Sequence, residues 1–144
     1  MATANYTSFM DAALALAETA LTVGEIPVGA VVVQSGKIVG RGHNRTRIDQ
    51  DPTAHAEIVA IREATRFLGN DRLEDCDLWV TLEPCTMCAG AIAHARVGRL
   101  YYGASDAKGG AVVGLEWEKR VTGDMTRDGV GKHAHVTLSG NRVR

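Results

Sequence analysis

The sequence predicts an α/β fold, a three-layer α/β/α sandwich around a mixed sheet of about five strands. Three observations predict it. Apolar residues recur at helical spacing in three segments. Short β-rich runs bounded by Gly, Pro and Ser alternate with those segments in the order αββαβαβ, which puts helices on both faces of a sheet. The 144 residues, 45% hydrophobic and 23% charged, make residues 1–144 one domain, large enough to bury a core that needs no disulfide staples.

Taken in order, the first helix is expected from Tyr6 to Leu21, where Phe9, Met10, Ala13, Leu14, Leu16, Ala17 and Leu21 repeat at helical intervals and Gly24 lies just beyond. Val28–Val33 and Lys37–Gly42 read as a hairpin joined by Gln34, Ser35 and Gly36, with the glycine supplying a positive φ. Asp51-Pro52-Thr53 offers capping chemistry for a second helix carried by Ile58, Ala60, Ile61, Ala64 and Leu68 and ending at Gly69. Leu78–Leu82 is a third strand. Pro84 suits the first turn of a third helix, Cys85 to about Arg96, and Leu100–Tyr102 is a fourth strand. After the glycine-rich stretch Gly103–Gly114, residues up to Lys132 are polar and weakly patterned, and His133–Leu138 is expected as the fifth strand.

Lys and Arg number 16 against 17 Asp and Glu, with a pI near 6.5, which excludes a uniformly basic nucleic-acid binder. The charge is unevenly spread. The first 36 residues hold three acids and no base, whereas Lys37, Arg41, Arg45 and Arg47 form a basic run that could attract phosphates. The longest apolar stretches, such as Val28–Val33, fall far short of the roughly 18 residues a membrane helix needs. The N-terminal MATANYTSFMDAALALA has no charged leading region and carries Asp11, so it does not read as a secretory signal. Three cysteines, two of them spaced Cys-x-x-Cys, point to a reducing compartment and a metal or redox site. A cytoplasmic protein with no membrane partner is expected.

Two motifs carry chemistry. Thr53-Ala54-His55-Ala56-Glu57 opens the second helix, and alone a His near a Glu at a helix start is more often a cap or a surface residue. Glu83-Pro84-Cys85-Thr86-Met87-Cys88 opens the third helix with both thiols on one face, a spacing shared by structural zinc sites, redox pairs and simple packing. Together they supply two thiolates and one imidazole, three zinc ligands with the fourth tetrahedral place free for water. A closed four-ligand site lacks a convincing fourth residue, since Cys76 is the only spare thiol and His43, His94, His133 and His135 are scattered. Glu57, two residues from His55, does not share its helical face; it is better placed as a base for the water than as a ligand.

His55-Ala56-Glu57 with Pro84-Cys85-Thr86-Met87-Cys88 resembles the signature of the zinc-dependent cytidine-deaminase-like superfamily. Within it, GEIPVGAVVV, GHNR, DPTAHAEIVAIR, LWVTLEPCTMCAGAI, ARVGRLYYGA and DAKGGA are most similar to the bacterial tRNA adenosine deaminases, which convert the wobble adenosine to inosine. The resemblance covers about residues 6 to 113. It implies a homodimer, a five-stranded sheet, one Zn2+ on His55, Cys85 and Cys88, Glu57 as the catalytic proton shuttle, and the tRNA anticodon loop as substrate. It further implies Asn44 on the substrate sugar, Pro27, Val28 and Ala56 at the base pocket, and Asp106 and Lys108 in a loop beside the RNA. Members finish with an amphipathic helix bearing aromatics and bases, which the spacing of Trp117, Lys119, Arg120, Arg127, Lys132, Arg142 and Arg144 does not match. The near-neutral pI also fits a deaminase of a free nucleobase or nucleoside, of guanine, cytosine or adenine type, and a non-enzymatic zinc-stabilised RNA-binding module is the reading from another class.

Overall fold

The computed structural model describes residues 8–106, 108–111, 117–120 and 134–143, with side chains described for 8–106 and 108–111. In chain order the elements are α1 (Met10–Thr22), β1 (Gly29–Gln34), β2 (Lys37–His43), α2 (Ala56–Leu68), β3 (Cys76–Leu82), α3 (Thr86–His94), β4 (Arg99–Ala104), β5 (Trp117–Arg120) and β6 (Ala134–Val143).

Alternate residues along the central strands face opposite helices, and this parity builds three layers. Ala30 and Val32 of β1, Leu78 and Val80 of β3, and Leu100 and Tyr102 of β4 share one buried cluster with Ala56, Ala60 and Ala64 of α2 and Ile92 of α3. Their neighbours Val31, Val33, Trp79 and Tyr101 share a second with Met10 and Ala13 of α1. There the Trp79 and Tyr101 rings stack with centroids 3.9 Å apart and planes within 3°, and Phe9 meets Trp79 edge-on at 6.1 Å. Strands covered on both faces have no polar side, which is why they read as continuous apolar runs.

The sheet is mixed, in the order β2-β1-β3-β4-β6-β5, with β3 and β4 parallel and the other pairs antiparallel. Four strands, β2-β1-β3-β4, form the part sandwiched by helices; β6 and β5 extend it to six, against the five expected. The extra strand, β5, is four residues long, too short for period-two alternation to show in sequence. The β1–β2 turn uses positive φ at Ser35 (50°) as well as Gly36 (76°), the pattern of a two-residue primed turn. Tyr6, Arg127, Lys132, His133 and Arg144, and the end of the glycine-rich stretch, lie outside the described residues. Among those described, no helix is long and apolar enough to cross a membrane.

The second helix starts later than its capping residues imply. The Asp51 carboxylate accepts from the Thr53 N–H at 2.8 Å and hydroxyl at 2.7 Å, closing a local turn, and α2 begins with His55 at its N-cap. It ends as expected on Gly69 in the left-handed conformation. What sets α2 against the sheet is the absence of side chains: a Cβ on Gly42 would lie 2.7 Å from the Ala60 nitrogen and 2.9 Å from the Val59 Cβ, and Gly40 meets Ala60 and Ala64 in the same way. We therefore expect Gly42→Ala to force the first turns of α2 off β2. The predicted loss is about 1–3 kcal/mol of stability, the range of overpacked cores, read as a lowered denaturant midpoint; an unchanged midpoint would refute this account of the contact.

Candidate metal centre and active-site cavity

Two helices begin at one place. His55 is the N-cap of α2 and Cys85 the N-cap of α3, both in extended backbone and neither using its side chain to cap. Cys88 follows in the first turn of α3. His55 Nδ1 stands 3.4 Å from Cys88 Sγ and 3.6 Å from Cys85 Sγ, and the three donor atoms lie within 4.8 Å of one another. Tetrahedral zinc, with bonds of roughly 2.0–2.3 Å, separates a nitrogen and a sulfur ligand by about 3.6 Å, so the donor set fits that ion without rearrangement. Both cysteines sit at the N-terminus of α3 and His55 at that of α2, so two helix dipoles present their positive ends to the donor set.

The electrostatics point the same way. Burial is the main cause pushing the Cys88 thiol up, with the Glu57 and Cys85 charges adding to it. A divalent cation at these donors opposes all three effects and makes the thiolate the stable form. Glu57, buried in the first turn of α2, is likewise pushed up by burial, against hydrogen bonds from its own backbone N–H and from Cys88 and the charge of His55. A carboxyl held in this way beside the donor set suits proton exchange.

These groups line a cavity of about 180 Å³. Of the residues expected at the substrate, Asn44, Val28, Ala56 and Asp106 line it with His55, Glu57 and Cys85. The Asn44 side-chain oxygen accepts from the Thr46 N–H at 3.0 Å and hydroxyl at 2.9 Å, which fixes the amide and leaves its NH2 as the donor for a ligand. Pro27 and Lys108 are exposed and outside the lining: Pro27 sits between Ile26 and Val28, which do line it, and Lys108 lies further along the segment that carries Asp106. Ile26, Leu82 and Glu83 also line the cavity; they lie within the motif strings GEIPVGAVVV and LWVTLEPCTMCAGAI, but sequence alone assigns them no site role. For Ile26 a signal is present in the sequence, because alternation across Pro27 puts residues 26 and 28 on one side.

A three-layer mixed sheet with a His/Cys/Cys donor set at two converging helix N-termini defines a zinc-dependent deaminase domain. The chain belongs to the cytidine and deoxycytidylate deaminase zinc-binding family, whose model matches residues 3–104. It is 57% identical over 109 residues to a protein of Agrobacterium fabrum described as a tRNA-specific adenosine deaminase, covering 76% of this chain and 72% of that protein. A Haemophilus influenzae protein of the same description is 55% identical over 104 residues, 72% of this chain and 60% of its own length. A solved structure from work on A-to-I editing by tRNA:A34 deaminases matches with a TM-score of 0.72 at 57% identity, covering 73% of this chain and 76% of that one. Guanine deaminase from Bacillus subtilis matches at 0.67 and 43% identity, covering 70% and 65%.

Cys76 gives the control for the metal assignment. It is buried in the core cluster behind α2 and α3, and burial, aided by Asp75 and Asp77, pushes its thiol up to about 11. Metal analysis should therefore find about one zinc per chain retained in Cys76→Ala and lost in Cys88→Ala. Zinc retained in the second variant would reject the ligand set.

Proposed function

We propose that this chain hydrolyses adenosine to inosine at the wobble position of a tRNA anticodon loop, releasing ammonia. The carrying observation is the buried Glu57 carboxyl beside the His55, Cys85 and Cys88 donors at the wall of a cavity that admits one base and no duplex. An anticodon loop presents such a base at small unstacking cost. The relatives' descriptions support adenosine in tRNA over a free base.

His55 Nδ1, Cys85 Sγ and Cys88 Sγ hold zinc, which when bound supplies the Lewis acidity that activates a water molecule. Glu57 takes a proton from the attacking water, delivers it to N1 of the adenine as C6 becomes tetrahedral, and then carries the second proton to the departing amine. Burial keeps that proton on the carboxyl between transfers instead of losing it to solvent. Ile26, Val28 and Leu82 offer apolar walls to the base, and the Asn44 NH2 donates to a sugar oxygen. The reading includes a homodimer and a cytoplasmic location, supported by the family resemblance and by three free cysteines.

Inosine should form when zinc-loaded protein meets a matching tRNA, in a panel that includes free guanine, cytosine and adenosine; ammonia from a free base alone would sink the tRNA reading. Glu57→Gln keeps the shape and the zinc while removing the carboxylate. Its turnover should fall roughly 10²-fold or more, and parental turnover with zinc bound would reject the shuttle. Lys108→Gln should flatten the salt dependence of RNA binding by about 0.7 for each single-strand phosphate that Lys108 neutralises. Arg45→Gln should do so less, because the Arg45 Nε and Nη2 already donate to Asp49, each at 3.0 Å. Equal slopes in the parent and Lys108→Gln would clear Lys108 of a phosphate-binding role.

A further inference from the structure

We propose that Glu83 is a positioning residue whose carboxylate holds the segment carrying Asp106 in place at the cavity. The inference rests on the deaminase reading above and concerns how the substrate-facing wall is built.

Glu83 stands between the end of β3 and Pro84-Cys85, so it is tied by sequence to a metal ligand. It is 5% exposed and lines the cavity. Its Oε1 accepts from the Asp106 N–H at 3.2 Å. On either side the main chain is fastened as well: the Glu83 N–H donates to the Ala104 carbonyl at 2.8 Å, and the Ala111 N–H donates to the Pro84 carbonyl at 2.9 Å. Two backbone bonds thus clamp the ends of the segment, and the carboxylate reaches its middle at Asp106.

Asp106 passes that anchoring on. Its Oδ1 accepts from the N–H groups of Lys108 and Gly109, each at 3.1 Å, and its carbonyl accepts from Gly110 N–H at 2.9 Å. Gly110 in turn lies directly on the Glu83 carboxyl and the Asp106 carbonyl, where a Cβ would overlap Cδ and Oε2 of the first and the oxygen of the second. A glycine here permits the close approach that a side chain would forbid. The segment is therefore shaped around a carboxylate at position 83. Because it presents Asp106 to the cavity and leaves Lys108 exposed, disturbing it should weaken substrate binding more than the chemistry, which Glu57 performs from the opposite helix.

The test uses the zinc-loaded full chain and three variants, Glu83→Ala, Glu83→Gln and Gly110→Ala, with tryptic cleavage after Lys108 followed by fragment mass. Removing a hydrogen bond to a charged acceptor should raise the open population, and hence cleavage, about tenfold in Glu83→Ala. KM for an anticodon stem-loop should rise by a similar factor, with kcat within about threefold and zinc unchanged. Glu83→Gln retains an oxygen for the Asp106 N–H and should recover most of both losses. Gly110→Ala, which pushes the segment off an intact Glu83, should reproduce the Glu83→Ala pattern, and it decides the matter if Glu83→Ala does not fold. Parental cleavage and KM in Gly110→Ala, or a fall in kcat or zinc without a change in cleavage in the Glu83 variants, would overturn the proposal. The cleavage arm needs no substrate, so an inactive parent would fail the deaminase reading while leaving Glu83 decided.

Discussion

The close seating of α2 on β2 governs the rest of the site. Gly40 and Gly42 present no side chain to Ala56, Ala60 and Ala64, so helix and strand approach until backbone nearly meets backbone. A helix held that closely has little freedom to slide or roll, and its first turn delivers His55 and Glu57. The sheet register does the remaining work. Gly29 pairs with His43, Ala30 with Val80, and Leu82 with Ala104, so the start of β1 and the ends of β2, β3 and β4 share one edge of the sheet. Ile26 and Val28, Asn44, Leu82 and Glu83, and Asp106 come to the cavity from those four strand ends. Ligand sites at strand ends of open α/β sheets follow the same logic.

The charge balance of the cavity depends on that placement. Two helix N-termini converge on the donors, and the Cys88 thiol and Glu57 sit where burial disfavours negative charge. A dication with two thiolates and a neutral imidazole is electrically neutral, which leaves Glu57 as the group that changes charge during a reaction. A carboxyl only 4% exposed, with burial disfavouring its charged form, has the environment that the proposed proton shuttle requires.

The zinc ligands and the layer architecture were legible in the sequence because both are local patterns. The αββαβαβ order that implies three layers shows in short apolar runs such as Val28–Val33, although which of their side chains faces which layer does not, and the two ligand motifs each lie within one helical turn. Glu83 was not legible as a cavity residue, because its meaning comes from Asp106 and Gly110, which are more than twenty residues away. Asp51 read as a helix cap and is a turn residue, since its side chain is used up two residues later at Thr53. Pro27 was favoured over Ile26, yet the alternation around it puts Ile26 and Val28 on the cavity side, with Ile26 still 54% exposed at its rim.

In the basic run from Lys37 to Arg47, two of the four side chains are engaged within the chain. Arg45 is committed to Asp49 through two bonds of 3.0 Å, and the Arg47 guanidinium donates to the Gly24 carbonyl at 3.0 Å. The Arg47 and Ile48 N–H groups, at 3.0 and 2.8 Å, donate to Glu25, itself 3% exposed. This acid in the loop after α1 therefore gathers the chain that follows Asn44 and draws it against the segment bearing Ile26 and Val28. The arginines there organise backbone before they can meet any phosphate, and an intramolecular pair must be broken before such an arginine contributes to RNA affinity. A buried carboxylate thus holds each of two cavity walls, Glu25 the one ending in Asn44 and Glu83 the one ending in Asp106. Two acids of a near-neutral chain thus serve first as acceptors for backbone N–H groups that shape the walls of the cavity.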